Sequence, residues 1–570
     1  MTYDSLLESV GSFGIYQKKL FAIFFVNGIP NALLLTSIVF LHYMPEHQCT
    51  VDHLIPNNIS RNSTLFQEIS AVIGYRRSVE NTSNSCLMYN VSQQAVELML
   101  YQGVANFTEG VKVLHRNASL LAVPCQRGHS YDKNGFVQSA MMEFNGVCEQ
   151  AWYKPFISSL YLAGMGFAAL SGVLSDKFGR RPVFLFFTCL QFVVTFFTSF
   201  ANEIRVYGAC IFLCGLTQMV NYMAAFVLGT ECTTPEYRNF ISVSSFYSFS
   251  LGYMIGPLIS YLIPNWRWMM RFNGLVGLLY IPMYWLIPES PRWLLAKGKI
   301  REAKVILLKI AKDNGQLDKM DAGAVELISK ETVVKADENN KSLSTLRGLL
   351  ELVRNPKMMV IVVVIEIAWC ATAVVYFGLS LSAQNLNGNL FINCFLLGVL
   401  EIPGVLAAYI AVRYFSRPKS HAFFMFLAGV CCLVAALLKS VNGNATLAAS
   451  LLGKAANSGV YYLVYIHSAE IAPTVSRNSL MCIGSIAGRI GSVIAPYFVY
   501  MVELYGFFAP FLALSAVTLT SAWLTLLFLP ETRLQPLPDT VQDTLRLKTI
   551  CQKIVCGRWQ KKTDAKTAPA

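Results

Sequence analysis

Apolar runs of roughly twenty residues, each closed by a short polar or charged stretch, recur along this chain and set its organisation. A hydrocarbon layer about 30 Å thick takes about twenty apolar residues to cross as a helix. Lipid offers no partner to irregular backbone, so such runs are read as spanning helices. The pattern predicts spans at Leu20 to Leu41, Phe156 to Val173, Val183 to Phe200, Val206 to Leu228, Phe240 to Leu262 and a shorter Phe272 to Ile287. A second set follows at Met358 to Leu379, Leu390 to Val412, Ala422 to Leu438, Leu447 to Ile466, Leu480 to Met501 and Phe507 to Leu529. The expected fold is an all-α polytopic membrane protein of twelve transmembrane helices in two six-helix halves. Residues 1–19 form a cytosolic N-terminus, 20–288 the first half, 289–357 a charged cytosolic linker with helical pieces such as Ile300 to Lys312, 358–529 the second half and 530–570 a cytosolic tail.

The polar stretch 43–150 between the first two spans breaks the rhythm. It carries six glycosylation sequons, at Asn58, Asn62, Asn81, Asn90, Asn106 and Asn117, and four cysteines, Cys49, Cys86, Cys125 and Cys148. That density beside an even cysteine count reads as a large extracellular loop in an oxidising compartment. Three disulfide pairings are open. Asn444 adds a sequon in the expected outside loop between spans 9 and 10, whereas Asn340 lies in the linker and is expected to stay unmodified.

Composition agrees with a membrane protein: 54% of the 570 residues are hydrophobic and only 14% charged. The net charge of +13 raises the question of a nucleic-acid partner. Lys18, Lys19, Arg413, Arg417, Lys419 and the tail basics, however, sit at expected cytosolic positions, and the positive-inside rule accounts for them without a polyanion. No phosphate-cradling loop, metal-ligand cluster or nucleophile triad is present, so an enzyme is not expected, nor a cofactor.

The two halves repeat. Glu231 at the end of span 4 is followed by Arg238-Asn239, and Glu470 at the end of span 10 by Arg477-Asn478; span 6 ends in Pro288-Glu289-Ser290 and span 12 in Pro530-Glu531-Thr532. Between spans 2 and 3 stands Gly172-Val173-Leu174-Ser175-Asp176-Lys177-Phe178-Gly179-Arg180-Arg181. This loop resembles the one between helices 2 and 3 of the major facilitator superfamily. Arg413 to Lys419, after span 8, is its worn counterpart, keeping basic charge without the acid and glycines. Asp176, Arg180, Arg181 and the pairs Glu231/Arg238 and Glu470/Arg477 are expected to gate alternating access between the halves.

Charges inside spans cost about 2.5 to 3.5 kcal/mol each on insertion scales, so each is expected to face a partner or a cavity. Glu366, Glu401, Lys454 and Arg489 qualify. Mutual pairing, as of Glu401 with Lys454, is the structural reading. Arg489, among Gly488, Gly491 and Ser492, is the best candidate for a substrate carboxylate. Trp369, Tyr376, Tyr461, Tyr462, Tyr465 and Tyr222 either pack or enclose a quaternary ammonium by cation–π attraction. Asn31, Gln191, Gln218, Asn221 and Tyr222 either bond helix to helix or offer oxygens to a small cation.

Other stretches carry a narrower resemblance: Asn221-Tyr222-Met223-Ala224-Ala225-Phe226-Val227-Leu228-Gly229-Thr230-Glu231, Pro288-Glu289-Ser290-Pro291-Arg292-Trp293-Leu294-Leu295, Tyr376-Phe377-Gly378-Leu379-Ser380-Leu381, Ala495-Pro496-Tyr497-Phe498-Val499-Tyr500 and Pro536-Leu537-Pro538-Asp539-Thr540. They resemble the organic cation, anion and carnitine transporters of the solute carriers, and within them the carnitine and zwitterion branch. The resemblance implies Na⁺-coupled uptake of a trimethylammonium carboxylate at the plasma membrane. It implies that Asn31, Gln191, Gln218, Asn221 and Tyr222 serve sodium or its coupling, Arg489 with Ser485 the carboxylate, and Trp369, Tyr376 and Tyr465 the cavity wall, with Glu366, Glu401 and Lys454 as further substrate-facing charges. The cation-preferring branch has an acid where Arg489 stands. Glu366, Ala472 in Glu470-Ile471-Ala472-Pro473 and Ser479-Leu480-Met481-Cys482 depart from the branch. A polyspecific organic-ion facilitator without Na⁺ is the rival, and a nontransporting receptor or scaffold, for which the tail is a candidate partner surface, a remote one. Glu366-Ile367-Ala368-Trp369 replaces the paired glutamines of sugar carriers.

Overall fold

The computed structural model describes residues 3–50, 86–89, 122–125, 127–131, 138–317, 354–473, 476–533 and 541–547, with 535, 538 and 549. The six sequons of the first loop, Asn340 and the tail beyond 550 lie outside them. The chain divides into two compact units, residues 1–39, 155–263 and 267–570 in one, and 40–154 with 264–266 in the other.

The larger unit is helical. In the first half it contains α1 (Tyr3–Ser9), α2 (Ile15–Leu41, its end passing into the second unit), α3 (Tyr153–Met165), α4 (Ala169–Phe178), α5 (Arg180–Thr198), α6 (Ile204–Glu231), α7 (Pro235–Leu262), α8 (Trp266–Leu275) and α9 (Met283–Leu286). The linker contributes α10 (Pro291–Ala296) and α11 (Ile300–Asp313). The second half has α12 (Pro356–Leu381), α13 (Leu390–Tyr414), α14 (Arg417–Leu438), α15 (Gly443–Ile471), α16 (Arg477–Tyr505) and α17 (Phe508–Phe528), followed by α18 (Val541–Arg546). Prolines at the first turns of α7, α10, α12 and α14 start helices where no intrahelical donor is lost. Asn355, Asn389 and Asn442 cap the starts of α12, α13 and α15 with their side chains.

Eight helices among the described residues are long and apolar enough to cross a membrane: α2, α5, α6, α12, α13, α14, α16 and α17. The other four expected spans are helical but interrupted or polar. A 3-10 turn at Gly166–Ala168 separates α3 from α4, and another at Val276–Tyr280 separates α8 from α9. Helix α7 carries Ser244, Ser245, Ser248 and Ser250, and α15 carries Lys454, Asn457 and His467. Polar groups lower mean hydropathy where they line a protein interior, and such positions escape a purely apolar criterion.

Close helix approach depends on missing side chains. A Cβ on Gly215 would run into the backbone of Tyr161 across the α3–α6 contact, and one on Gly404 into the carbonyl of Ala455 across α13–α15. Small residues at such crossings let backbones meet and gain dispersion contact, which drives association where lipid removes the hydrophobic force. The linker helix α11 buries Ala303, Leu307, Ile310 and Ala311 in the core that also holds Leu6, Val10, Val220 and Leu228 of the first half.

The smaller unit corrects the all-α expectation. It holds two antiparallel two-stranded ladders, β1 (His47–Cys49) with β4 (His129–Tyr131) and β2 (Leu87–Tyr89) with β3 (Ala122–Pro124). Three-residue strands leave no hydrophobic signal in a polar loop. Cys49 is joined to Cys125 and Cys86 to Cys148, which selects one of the three open pairings.

Candidate functional site

Four of the five residues assigned to sodium meet in one buried cluster of amides. Gln191 Nε2 donates to Asn31 Oδ1 at 3.1 Å, Asn221 Nδ2 to Gln191 Oε1 at 2.7 Å, and Gln218 Nε2 to the carbonyl of Asn31. Three further residues complete it: Asn27 Nδ2 donates to Asn221 Oδ1 at 3.4 Å, Thr188 Oγ1 to the same oxygen at 3.0 Å, and the Tyr161 hydroxyl to Gln218 Oε1. The spacing of Asn27 and Asn31, one turn apart on α2, was the sequence signal for Asn27. Tyr161 and Thr188 gave none, being isolated hydroxyls in apolar runs. Asn27 Oδ1 is buried without a hydrogen-bond partner. Each carbonyl oxygen has a second lone pair, so the cluster has the hard oxygen donors that a small cation takes.

Tyr222 is not part of this cluster. The adjacent residue Asn221 points into the amides, and a helix turns about 100° per residue, so Tyr222 faces elsewhere. It lies in electrostatic range of Tyr465 and Arg489. Tyr461 and Tyr465 share that range. Arg489 is half-buried on α16, where its Cβ lies 3.8 Å from the position a Cβ on Gly166 would take, beside the 3-10 break between α3 and α4. Its guanidinium donates to the Met219 sulfur at 3.6 Å, and among the described residues no carboxylate pairs with it. Ser485 stands one turn earlier on the same helix, also half-buried.

The remaining charges divide. Lys454 Nζ is 3.2 Å from Glu401 Oε1, with side chains 0% and 5% exposed. The Tyr376 hydroxyl donates to Glu401 at 2.6 Å, Ser250 of the first half donates to its other oxygen at 3.1 Å, and Lys454 also donates to Ser380 at 2.7 Å. Glu401, Lys454 and Tyr376 thus form, with Ser250 and Ser380, a satisfied ionic knot where α7 meets α13. Trp369 is 2% exposed, donates to Ser468 and packs edge-on to Tyr465 at 4.4 Å. Gly484 and Gly488 lie against its indole, so the ring is closely packed between α12, α15 and α16. Both oxygens of Glu366 are buried with no hydrogen-bond partner.

The residues expected to gate form two like cradles, with partners other than those expected. Glu231 pairs with Arg180 through Nε at 3.0 Å and Nη2 at 3.1 Å, not with Arg238, which reaches Asp4 at 2.6 Å. Glu470 pairs with Arg417 at 3.0 Å, not with Arg477, which donates weakly to the Ala472 carbonyl at 3.4 Å. The backbone amides of Arg180 and Arg181 donate to Glu289, as that of Arg417 does to Glu531. Arg180 also donates to the Ser175 carbonyl and pairs with Asp176 at 2.9 Å, while Arg417 donates to the Val412 carbonyl. Arg181 reaches the Tyr284 carbonyl. The worn motif of the second half therefore keeps the one arginine that the cradle needs. Arg180 and Arg417, at the first positions of α5 and α14, fork onto the glutamates of the neighbouring helices, whereas Arg238 and Arg477 turn to Asp4 and to the Ala472 carbonyl. Burial raises Glu289 above the usual carboxylate range against the pull of the Ser290, Arg181 and Arg180 amides. Burial acts on Glu531 too, but the Ser416 hydroxyl and the Arg533 and Arg417 amides outweigh it and hold its carboxyl low.

Replacing Arg180 by alanine is expected to slow turnover of every substrate by a common factor, leaving KM ratios between substrates unchanged in initial-rate uptake. A loss selective for one substrate would contradict a gating role.

A profile of the family described as sugar (and other) transporter matches residues 66–542. The organic cation/carnitine transporter 2 of Mus musculus is 33% identical, covering 100% of this chain and 98% of that one, and its Homo sapiens counterpart is 32% identical over 96% and 94%. The beta-alanine transporter of Drosophila melanogaster is 29% identical over 95% of this chain and 89% of its own. Among solved structures, the inward-open xylose transporter XylE of E. coli aligns with a TM-score of 0.55 at 17% identity, covering 69% of this chain and 89% of XylE, a likeness of fold. These are transporters, not enzymes. The chain belongs to the organic cation, anion and carnitine transporter family of the solute carriers, within the major facilitator superfamily.

Proposed function

We propose that this protein imports carnitine or a related zwitterionic or quaternary-ammonium solute across the plasma membrane, coupled to Na⁺, by alternating access between two six-helix halves with cytosolic termini. The observation that carries the reading is Arg489, a guanidinium within an apolar helix that donates only to the Met219 sulfur and has no carboxylate partner among the described residues. A charge half-buried in an apolar helix without an opposite charge is costly, and a substrate carboxylate forked onto the guanidinium lowers that cost. The tyrosine faces supply cation–π attraction for the ammonium end, about 0.5 to 2 kcal/mol per contact. The amide cluster around Asn31, Gln191, Gln218 and Asn221 supplies the oxygens for Na⁺. Similarity to transporters named for carnitine and for beta-alanine, both carrying a carboxylate and a cationic nitrogen, supports the same substrate class.

A second reading, a polyspecific organic-ion facilitator without Na⁺, has its own support: the amides largely satisfy one another and require no ion to do so. Uptake of radiolabelled carnitine, beta-alanine and tetraethylammonium into cells expressing the protein separates the two. Replacement of external Na⁺ by N-methylglucamine, which is larger than choline and does not mimic the substrate, is expected to reduce carnitine uptake at least tenfold. Unchanged carnitine uptake selects the second reading.

A further inference from the structure

The face that carries the Arg417 cradle also holds a cavity of about 310 Å³, lined by Tyr409, Val412, Arg413, Arg417, Tyr462 and Arg533. Half of its lining is arginine and none of it is acidic. Glu470 and Glu531, which serve Arg417, are not among the lining residues. The guanidiniums of Arg413 and Arg533 have no carboxylate partner among the described residues, although the Arg533 backbone amide donates to Glu531 at 3.0 Å. Arg533 is held against the cavity by donating to the carbonyls of Tyr414 and Arg413, which uses two of its five donors and leaves the guanidinium without a paired carboxylate among the described residues. Three guanidiniums converging on one concavity, two of them unneutralised, make a site for a multiply charged anion, and planar forked donors suit phosphate oxygens.

The surroundings decide what carries the phosphate. Up α13 from the cavity, Leu406, Tyr409 and Ile410 are 47%, 46% and 47% exposed on a helix apolar enough to face lipid, and at its end Tyr414 and Phe415 are 63% and 64% exposed. Exposed aromatics at the end of a spanning helix mark the depth of the lipid headgroups. A soluble anion would gain nothing from such a wall. A phospholipid would lay its acyl chain along Leu406 and Ile410 while its headgroup entered among the arginines. Basic pockets between spanning helices at a cytosolic leaflet take headgroups of this kind.

We propose that this cavity binds a phosphoinositide, an inner-leaflet phospholipid with phosphate monoesters on its headgroup, and that the lipid modulates the gate. The assignment of leaflet, and with it the choice of an inner-leaflet lipid, rests on the proposed topology; the anionic, phosphate-bearing chemistry of the ligand rests on the arginines alone. Arg417 belongs to the cavity and to the cradle at once, so headgroup phosphates compete with Glu470 for its guanidinium and loosen the latch at which α14 begins.

The test is binding of short-chain phosphatidylinositol 4,5-bisphosphate to the purified full-length protein in phosphatidylcholine nanodiscs, read by native mass spectrometry and titration. Arg413→Gln combined with Arg533→Gln is expected to weaken binding at least tenfold, and Arg413→Gln alone, which leaves the Arg533 anchor in place, about threefold or more. The doubly lysine-substituted protein, Arg413→Lys with Arg533→Lys, is expected to retain most of the binding. Wild-type affinity in both glutamine variants overturns the site. Equal affinity for phosphatidylserine nanodiscs overturns the phosphate-monoester assignment, and equal affinity for soluble inositol trisphosphate overturns the lipid. Because binding is read without transport, failure here leaves the substrate reading untouched, and failure of carnitine uptake leaves this one untouched.

Discussion

Arg489→Ala is expected to abolish uptake of carboxylate-bearing substrates while the protein still reaches the cell surface. Hydrogen bonds to a charged partner are worth about 1.5 to 3 kcal/mol each, and tenfold in affinity corresponds to about 1.4 kcal/mol. Loss of a forked contact therefore lowers uptake efficiency by about 10² or more, mostly through KM. The fold loses little, because the guanidinium engages only the Met219 sulfur among the described hydrogen bonds. Arg489→Lys keeps the charge without the planar fork and is expected to fall between. Uptake kinetics set against surface biotinylation give the answer: carnitine uptake by Arg489→Ala within a few-fold of wild type would end the carboxylate assignment.

Lys454→Met is expected to act in the opposite manner, on folding before transport. Removing one partner of a buried ion pair strands the other charge, at a cost of about 3 to 5 kcal/mol. Glu401 is 4% exposed, and only the Tyr376 and Ser250 hydroxyls remain to serve it. Set against a total stability of about 5 to 15 kcal/mol, that cost lowers surface abundance and the detergent melting temperature markedly. Adding Glu401→Gln removes the stranded charge, since the amide oxygen accepts from one hydroxyl while its NH2 donates to the oxygen of the other, and is expected to recover most of the abundance. A Lys454→Met protein that folds normally yet transports nothing would instead return Lys454 to the substrate.

These two positions show how far each kind of residue could be read from the chain. Arg489 and Lys454 are equally anomalous in an apolar run, and hydropathy treats them alike. What separates them is whether a carboxylate lies within reach, a matter of which face of α13 meets α15 and α7. The amide cluster was legible because several polar residues in apolar spans need partners, and they found one another. Tyr222 stands apart from the amides because neighbours on a helix point about 100° away from each other. The arginines were mispaired for a related reason: the repeat Glu-x6-Arg is local in the chain, but the partner that fits each glutamate starts the neighbouring spanning helix.

By itself the sequence determined that this is a helical membrane transporter built from a duplicated half, because membrane thickness and unsatisfied backbone impose a period that any chain must show. It also set the family, through loops whose glycines and charges admit few alternatives. Tertiary structure alone decided which charges are neutralised and which remain open. Arg180 and Arg417 are matched to Glu231 and Glu470, Lys454 to Glu401, and Arg489 is left without a carboxylate among the described residues. Pair energies depend steeply on separations of a few ångströms and on burial, and neither quantity is written in the order of residues.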